Sequence, residues 1–113
     1  MQELESKTYN YSVQANSFVI SLEKEFPHLA NKELKKSAEE VSLRFMDAMD
    51  SISNVDFSEN IKKSCENTKR SFEILKTINC SENKELEKHK ALLLSESHEI
   101  IERLNFIISK LIF

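Results

Sequence analysis

Histidine, cysteine and carboxylate side chains are where chemistry would begin in this chain, so their spacing decides first. Di-iron bundles place Glu-x-x-His on facing helices. Here Glu85 and His89 are four apart, off that spacing. His89 and His98 lie about two and a half helical turns apart, too far to share one ion with His28. Helical nucleases of the Arg-x4–6-His type need a histidine shortly after an arginine, and Arg44, Arg70 and Arg103 have none. Glu96, Glu99 and Glu102 step by three with no matching His or Asp partner, which reads as a solvated charged face. Cys65 falls on an apolar stripe and reads as a small core residue. Cys80 sits at a junction between periodic segments, where exposure is expected. The expectation is no catalytic residue, no metal site, no cofactor and no small-molecule substrate.

The elements that would have to position any site are helical. The chain has 113 residues, 40% hydrophobic and 31% charged, with no glycine and one proline. That length fits one domain spanning 1–113. Tight hairpins and phosphate-cradling loops usually recruit glycine, so its absence favours long helices joined by Asn and Ser. The net charge of −3 lacks the basic excess common in nucleic-acid binders. No apolar run approaches the length of a membrane span, and Met-Gln-Glu-Leu-Glu lacks a secretory layout. Two cysteines make no disulfide framework. A cytoplasmic protein is expected.

Four segments carry a 4/3 apolar rhythm, which puts the apolar residues on one helical face. The first runs from about Glu3 to Phe26, through Tyr11, Ala15, Phe18, Leu22 and Phe26, and stops at Pro27. The second runs from about Asn31, its N-cap, to Ser53, through Leu34, Ala38, Val41, Phe45, Ala48 and Ile52. The third runs from about Phe57 to Ile78, through Phe57, Ile61, Ser64/Cys65, Thr68, Phe72 and Leu75. Asp56 with Glu59 suggests its capping box, and Asn79 a left-handed C-terminal residue. The fourth runs from about Glu82, capped by Ser81, to Phe113, through Leu86, Lys90, Leu93, Ser97, Ile100, Leu104, Ile107 and Leu111. At 1.5 Å per residue it would reach ~45 Å. Short connections force antiparallel neighbours, so an all-α, up-and-down four-helix bundle is predicted.

Four stretches carry a family resemblance. They are Phe18-x-x-x-Leu22-x-x-x-Phe26-Pro27, Glu33-Leu34-x-x-x-Ala38, Ser71-Phe72-Glu73-Ile74-Leu75, and Ile101-x-x-x-Leu104/Asn105-x-x-Ile108-x-x-Leu111. Through them nearly the whole chain resembles the bacterial four-helix-bundle family related to the 23S ribosomal RNA intervening-sequence proteins. That family includes the accessory variability proteins of diversity-generating retroelements. The resemblance implies a small non-enzymatic protein, a pentameric barrel-like assembly and, in the retroelement branch, a reverse transcriptase and nucleic acid as partners. The chain departs from the family where helix two ends, at Met49-Asp50-Ser51-Ile52-Ser53, and in its acidic balance.

Two surface features suggest partners. Lys62, Lys63, Lys69, Arg70 and Lys76 make the third segment basic, with Lys35, Lys36 and Arg44 as additions from the second. They are the candidate nucleic-acid contacts. Glu59, Glu66 and Glu73 precede them at i,i+3 and i,i+4 spacing, which predicts a self-neutralised face. Opposite the core stripes, Tyr9, Val13 and Ile20 point roughly 160–200° from Tyr11 at helical pitch. Leu92, Phe106 and Phe113 lie about 180–240° from Leu86. Those six are expected to form one patch on neighbouring first and last helices, an interface for a homo-oligomer or a protein partner.

Overall fold

The computed structural model describes residues 1–29 and 31–111. It holds four long helices: α1 Gln2–Glu25, α2 Lys32–Met49, α3 Asn54–Thr77 and α4 Lys84–Ser109, with a 3-10 turn at Pro27–Leu29. They pack as α1 on α2, α2 on α3, α3 on α4 and α4 back on α1. Cross-links and the short connections together fix the direction of each pair. Glu3 meets Arg103 and Lys7 meets Glu99, so α1 and α4 run antiparallel. Ser64 reaches the Val41 carbonyl, Arg70 reaches Glu33, and Cys65 reaches Asn105. The result is the antiparallel up-and-down bundle, 47 × 21 × 20 Å.

The core follows the 4/3 stripes. Tyr11, Ala15, Phe18 and Leu22 of α1, Leu34, Ala38, Val41, Phe45 and Ala48 of α2, and Leu93, Ile100 and Leu104 of α4 are all buried. The inner face of α3 is different. It buries Ser58, Ser64, Thr68 and Ser71 beside Ile61, Cys65 and Leu75, while Phe57 and Phe72 are only half-buried. Buried hydroxyls are tolerable when each finds an acceptor. Ser64 donates to the Val41 carbonyl at 2.7 Å, Thr68 to Ser64 at 2.8 Å and Ser71 to Thr68 at 2.9 Å.

The helix ends depart from the sequence expectation, each time because a stronger local cap competes. The second helix ends at Met49, not Ser53, and Ile52, expected in the core, is 99% exposed. Ser53 leaves the helix to cap the next one, its hydroxyl accepting the Asp56 N–H at 3.1 Å. That cap starts α3 three residues before Phe57 and puts Asp56 in the first turn, where a negative charge suits the helix dipole. Asn79 is not left-handed; no described residue has a positive φ. Its side chain instead accepts the Ser81 N–H at 3.2 Å, closing an Asx turn. The fourth helix is capped by Asn83, which accepts from Leu86 N at 3.1 Å, and not by Ser81. With 26 residues it is ~39 Å long.

Cys80, expected to be exposed, is buried. The chain folds back over it, and its thiol lies 3.5 Å from Glu87 Oε1. Lys90, placed on the core stripe, keeps its stem half-buried and sends its ammonium to the Ile78 carbonyl at 2.8 Å and to Glu87 at 3.3 Å. Among the described residues no helix is long and apolar enough to cross a membrane.

Candidate binding surfaces

The three histidines lie apart. His89 is half-buried between α1 and α4, its ring edge-on to Phe18 at 5.4 Å. Its Nε2 is buried without a hydrogen-bond partner, and burial pushes its pKa down. His98 is exposed on α4, with Nε2 2.9 Å from Glu102. His28 packs near Phe26 in the α1–α2 connection. Among the described residues no three His, Cys, Asp or Glu side chains gather as a metal set would require.

The glutamate ladder of α4 is less solvated than its spacing suggests. Glu99 bonds Lys7 at 3.0 Å, and that hydrogen bond holds its carboxyl below the usual range. Glu96 lies closer to the α1/α4 seam, where burial pushes its carboxyl up. With Glu3–Arg103 at 3.0 Å, these groups clasp α4 to α1. Exposed ion pairs contribute up to about 1 kcal/mol each, so the clasp sets register more than stability.

The basic side chains of α3 share no single environment. Lys76 pairs with Glu73 at 3.1 Å and lies over the Phe72 ring at 4.9 Å. Arg70 crosses to Glu33 on α2 at 3.3 Å. Lys62, Lys63 and Lys69 enter none of the ion pairs among the described residues. Only one of the expected Glu-first pairs on this helix is therefore formed. Lys62, Lys69 and Lys76 recur every seven residues along one edge of α3, at steps of ~10.5 Å.

Of the six apolar candidates, five fall within the described residues, and all five are exposed: Tyr9, Val13, Ile20, Leu92 and Phe106. Phe113 lies outside the described residues. The structure does not draw the five together. At 100° per residue, exposed Asn10, Ser17 and Lys24 stand between the Tyr9–Val13–Ile20 row and α4. Leu92 instead faces Gln14 and Lys24 beside His89, in a depression of about 540 Å³. Phe106, 65% exposed, sits near Met1 and Leu4 where α1 begins, with the Lys110 ammonium over its ring at 5.2 Å.

Tyr9 and Val13 find company on the other side. They share a groove with Leu43 and Met46 of α2. The sequence shows those two as the apolar back of helix two. It does not join them to helix one, because one helix's periodicity says nothing of its rotation against a neighbour. Exposed Ile52, which the second stripe had included, and Val55, which no stripe included, are two further apolar groups at the α2–α3 turn.

No protein-family model, no curated protein and no solved structure matches this chain.

Proposed function

We propose that this chain is a non-enzymatic helical adaptor, which associates with copies of itself and docks a protein partner. The observation that supports this is the placement of apolar surface. Ten large apolar side chains are exposed among the described residues. Seven of them, Met1, Tyr9, Leu43, Met46, Ile52, Val55 and Phe106, belong to the half of the bundle that carries the α2–α3 turn. Single exposed apolar residues are ordinary; their concentration at one end marks a surface that other polypeptides cover. The family resemblance extends the proposal to a symmetric, pentameric ring in the cytoplasm, docked to a reverse transcriptase or another nucleic-acid enzyme. Light scattering tests it: a mass of several subunits is expected, with Phe106→Glu lowering that mass at unchanged helicity. A monomer at the highest soluble concentration overturns self-association.

A second reading, direct RNA or DNA binding, is favoured by the uncommitted Lys62, Lys63 and Lys69 and by the regular Lys62–Lys69–Lys76 edge. Phosphate contacts release counterions, so such binding must weaken steeply with salt, whereas apolar docking does not. No RNA or DNA binding at low salt removes this reading.

A further inference from the structure

We propose that the groove between α1 and α2 receives an amphipathic helix of a partner protein whose polar flanks are cationic. This names the partner class for the docking half of the adaptor proposal and rests on it. The groove runs along two adjoining depressions of about 500 and 380 Å³ that share Tyr9, Ser42 and Met46. Its apolar lining is Tyr9, Val13, Leu43 and Met46, each between 45% and 58% exposed. From Gln2 to Asn16 it follows α1 for ~21 Å, about four turns of a docked helix. A helix laid in such a groove inserts apolar residues at i, i+3/i+4 and i+7.

The charge of the occupant follows from the rim. Glu5 and Glu39 are the charged side chains lining the two depressions, and both are acidic. The depression between α1 and α4 is different, with Lys24 and Lys88 beside Glu25 and Glu85. The Ser12 hydroxyl donates to the Ala38 carbonyl at 2.6 Å, which brings Ala38 level with Ser12. On the antiparallel α2, Glu39 is then level with Tyr11 and lies about six residues, ~9 Å, along the groove from Glu5. That is a little under two turns of a helix, so long cationic side chains at i and i+7 on the partner can reach both carboxylates. Asn16 adds a third acceptor: its side-chain Oδ1, in the lining, is buried with no hydrogen-bond partner. That atom has almost no accessible surface, so it meets a donor on an incoming chain only once the Asn16 side chain turns outward. The two rim carboxylates thus call for cationic donors.

A second copy of this chain is a poorer occupant. Lys62 and Lys69 of α3 have the matching spacing. Val55, at the very start of that helix, is its only large apolar side chain that is exposed. The edge carrying the lysines has nothing to fill the groove floor.

The test uses the full chain and two labelled helical peptides with one leucine stripe, flanked at i and i+7 by lysine or by glutamate. Fluorescence anisotropy should show the Leu/Lys peptide bound about tenfold more tightly than the Leu/Glu peptide, as two rim ion pairs allow. Glu5→Lys with Glu39→Lys should reverse the preference. Glu66→Lys with Glu85→Lys, the same charge change outside the groove, should preserve it. Leu43→Asp should abolish binding, with circular dichroism verifying that each variant keeps its helicity. Equal affinity for both peptides, loss of preference in the Glu66/Glu85 control, or binding that survives Leu43→Asp overturns the proposal. A self-associated mass that falls on Leu43→Asp but not on Phe106→Glu also overturns it, since a second copy then fills the groove. If only the Leu/Glu peptide binds, the cationic partner is wrong and the adaptor stands. If neither binds and the chain is monomeric, both fall.

Discussion

The phenolic hydroxyl of Tyr11 on α1 lies 2.7 Å from the Ser71 hydroxyl on α3, across the diagonal of the bundle. The backbones of the two helices do not approach each other closely. Ser71 also donates to the Thr68 carbonyl at 2.9 Å, so the pair is oriented with Tyr11 as donor. Removing only the phenol oxygen should therefore strand nothing. Tyr11→Phe is expected to cost about 0.5–1.5 kcal/mol, the net worth of one hydrogen bond, measured by urea unfolding.

The same phenol should make the fold sensitive to alkali. Burial pushes the Tyr11 pKa up to about 12 from its ordinary 10. A raised acid pKa means the folded state favours the neutral form. The associated stability is complete below about pH 10 and is lost as pH rises from there through 12. The loss is on the order of 2–3 kcal/mol at the top of that window. Unfolding followed against pH should show the decline in the wild type and a smaller one in Tyr11→Phe.

His89 should act at the opposite end of the scale. Its pKa is lowered by burial, and Nε2 has no partner in the α1/α4 seam. A depressed histidine pKa contributes stability above the ordinary value of about 6.5, which is lost as pH falls below it. The urea midpoint should drop as pH falls through and below that ordinary value. His89→Leu should flatten that slope and add about 1 kcal/mol near neutrality by removing an unpaired buried nitrogen.

Both cysteines should be inert until the protein unfolds. Cys65 and Cys80 are buried, and burial pushes both thiols up, with Glu87 adding to the effect at Cys80. A thiol reagent needs the thiolate and access to it, and the fold withholds both. Ellman's reagent should release no colour from native protein at neutral pH and should titrate two thiols in guanidinium. Fast reaction of one thiol in the native state would mean the turn over Cys80 opens.

How much of this was legible in the sequence depends on the range of the interaction. Tyr11–Ala15–Phe18–Leu22 and Leu93–Ile100–Leu104 could be read directly, because a 4/3 rhythm needs only the pitch of one helix. The α3 interior was half-legible. Thr68 and Ser64 lie on the stripe with Phe72, but the narrow diagonal to Tyr11 favours hydroxyls, and Phe72 moves to the edge beside His98. The Tyr9–Val13–Leu43–Met46 groove was not legible. Its two rows sit on different helices, and their meeting depends on how each helix is rotated about its axis. The orphan oxygen of Asn16 is likewise a property of the assembled groove.

The last expectation concerns where α4 begins, a point on which sequence and structure disagree. Ser81 and Asn83 are both good N-cap residues, and spacing alone cannot choose between them. Asn83 takes the role because its backbone is extended and its side chain accepts the Leu86 N–H at 3.1 Å. Ser81 instead donates its own N–H to Asn79 and is exposed. Asn83→Ala should therefore cost about 1 kcal/mol, as should Asn31→Ala at the α2 cap, where Leu34 N is held at 3.1 Å. Ser81→Ala should be nearly neutral. The opposite order in a thermal or urea series would return the start of the helix to Ser81. It would also loosen the fold of the chain over Cys80, since Asn83 N–H donates to the Cys80 carbonyl at 3.0 Å.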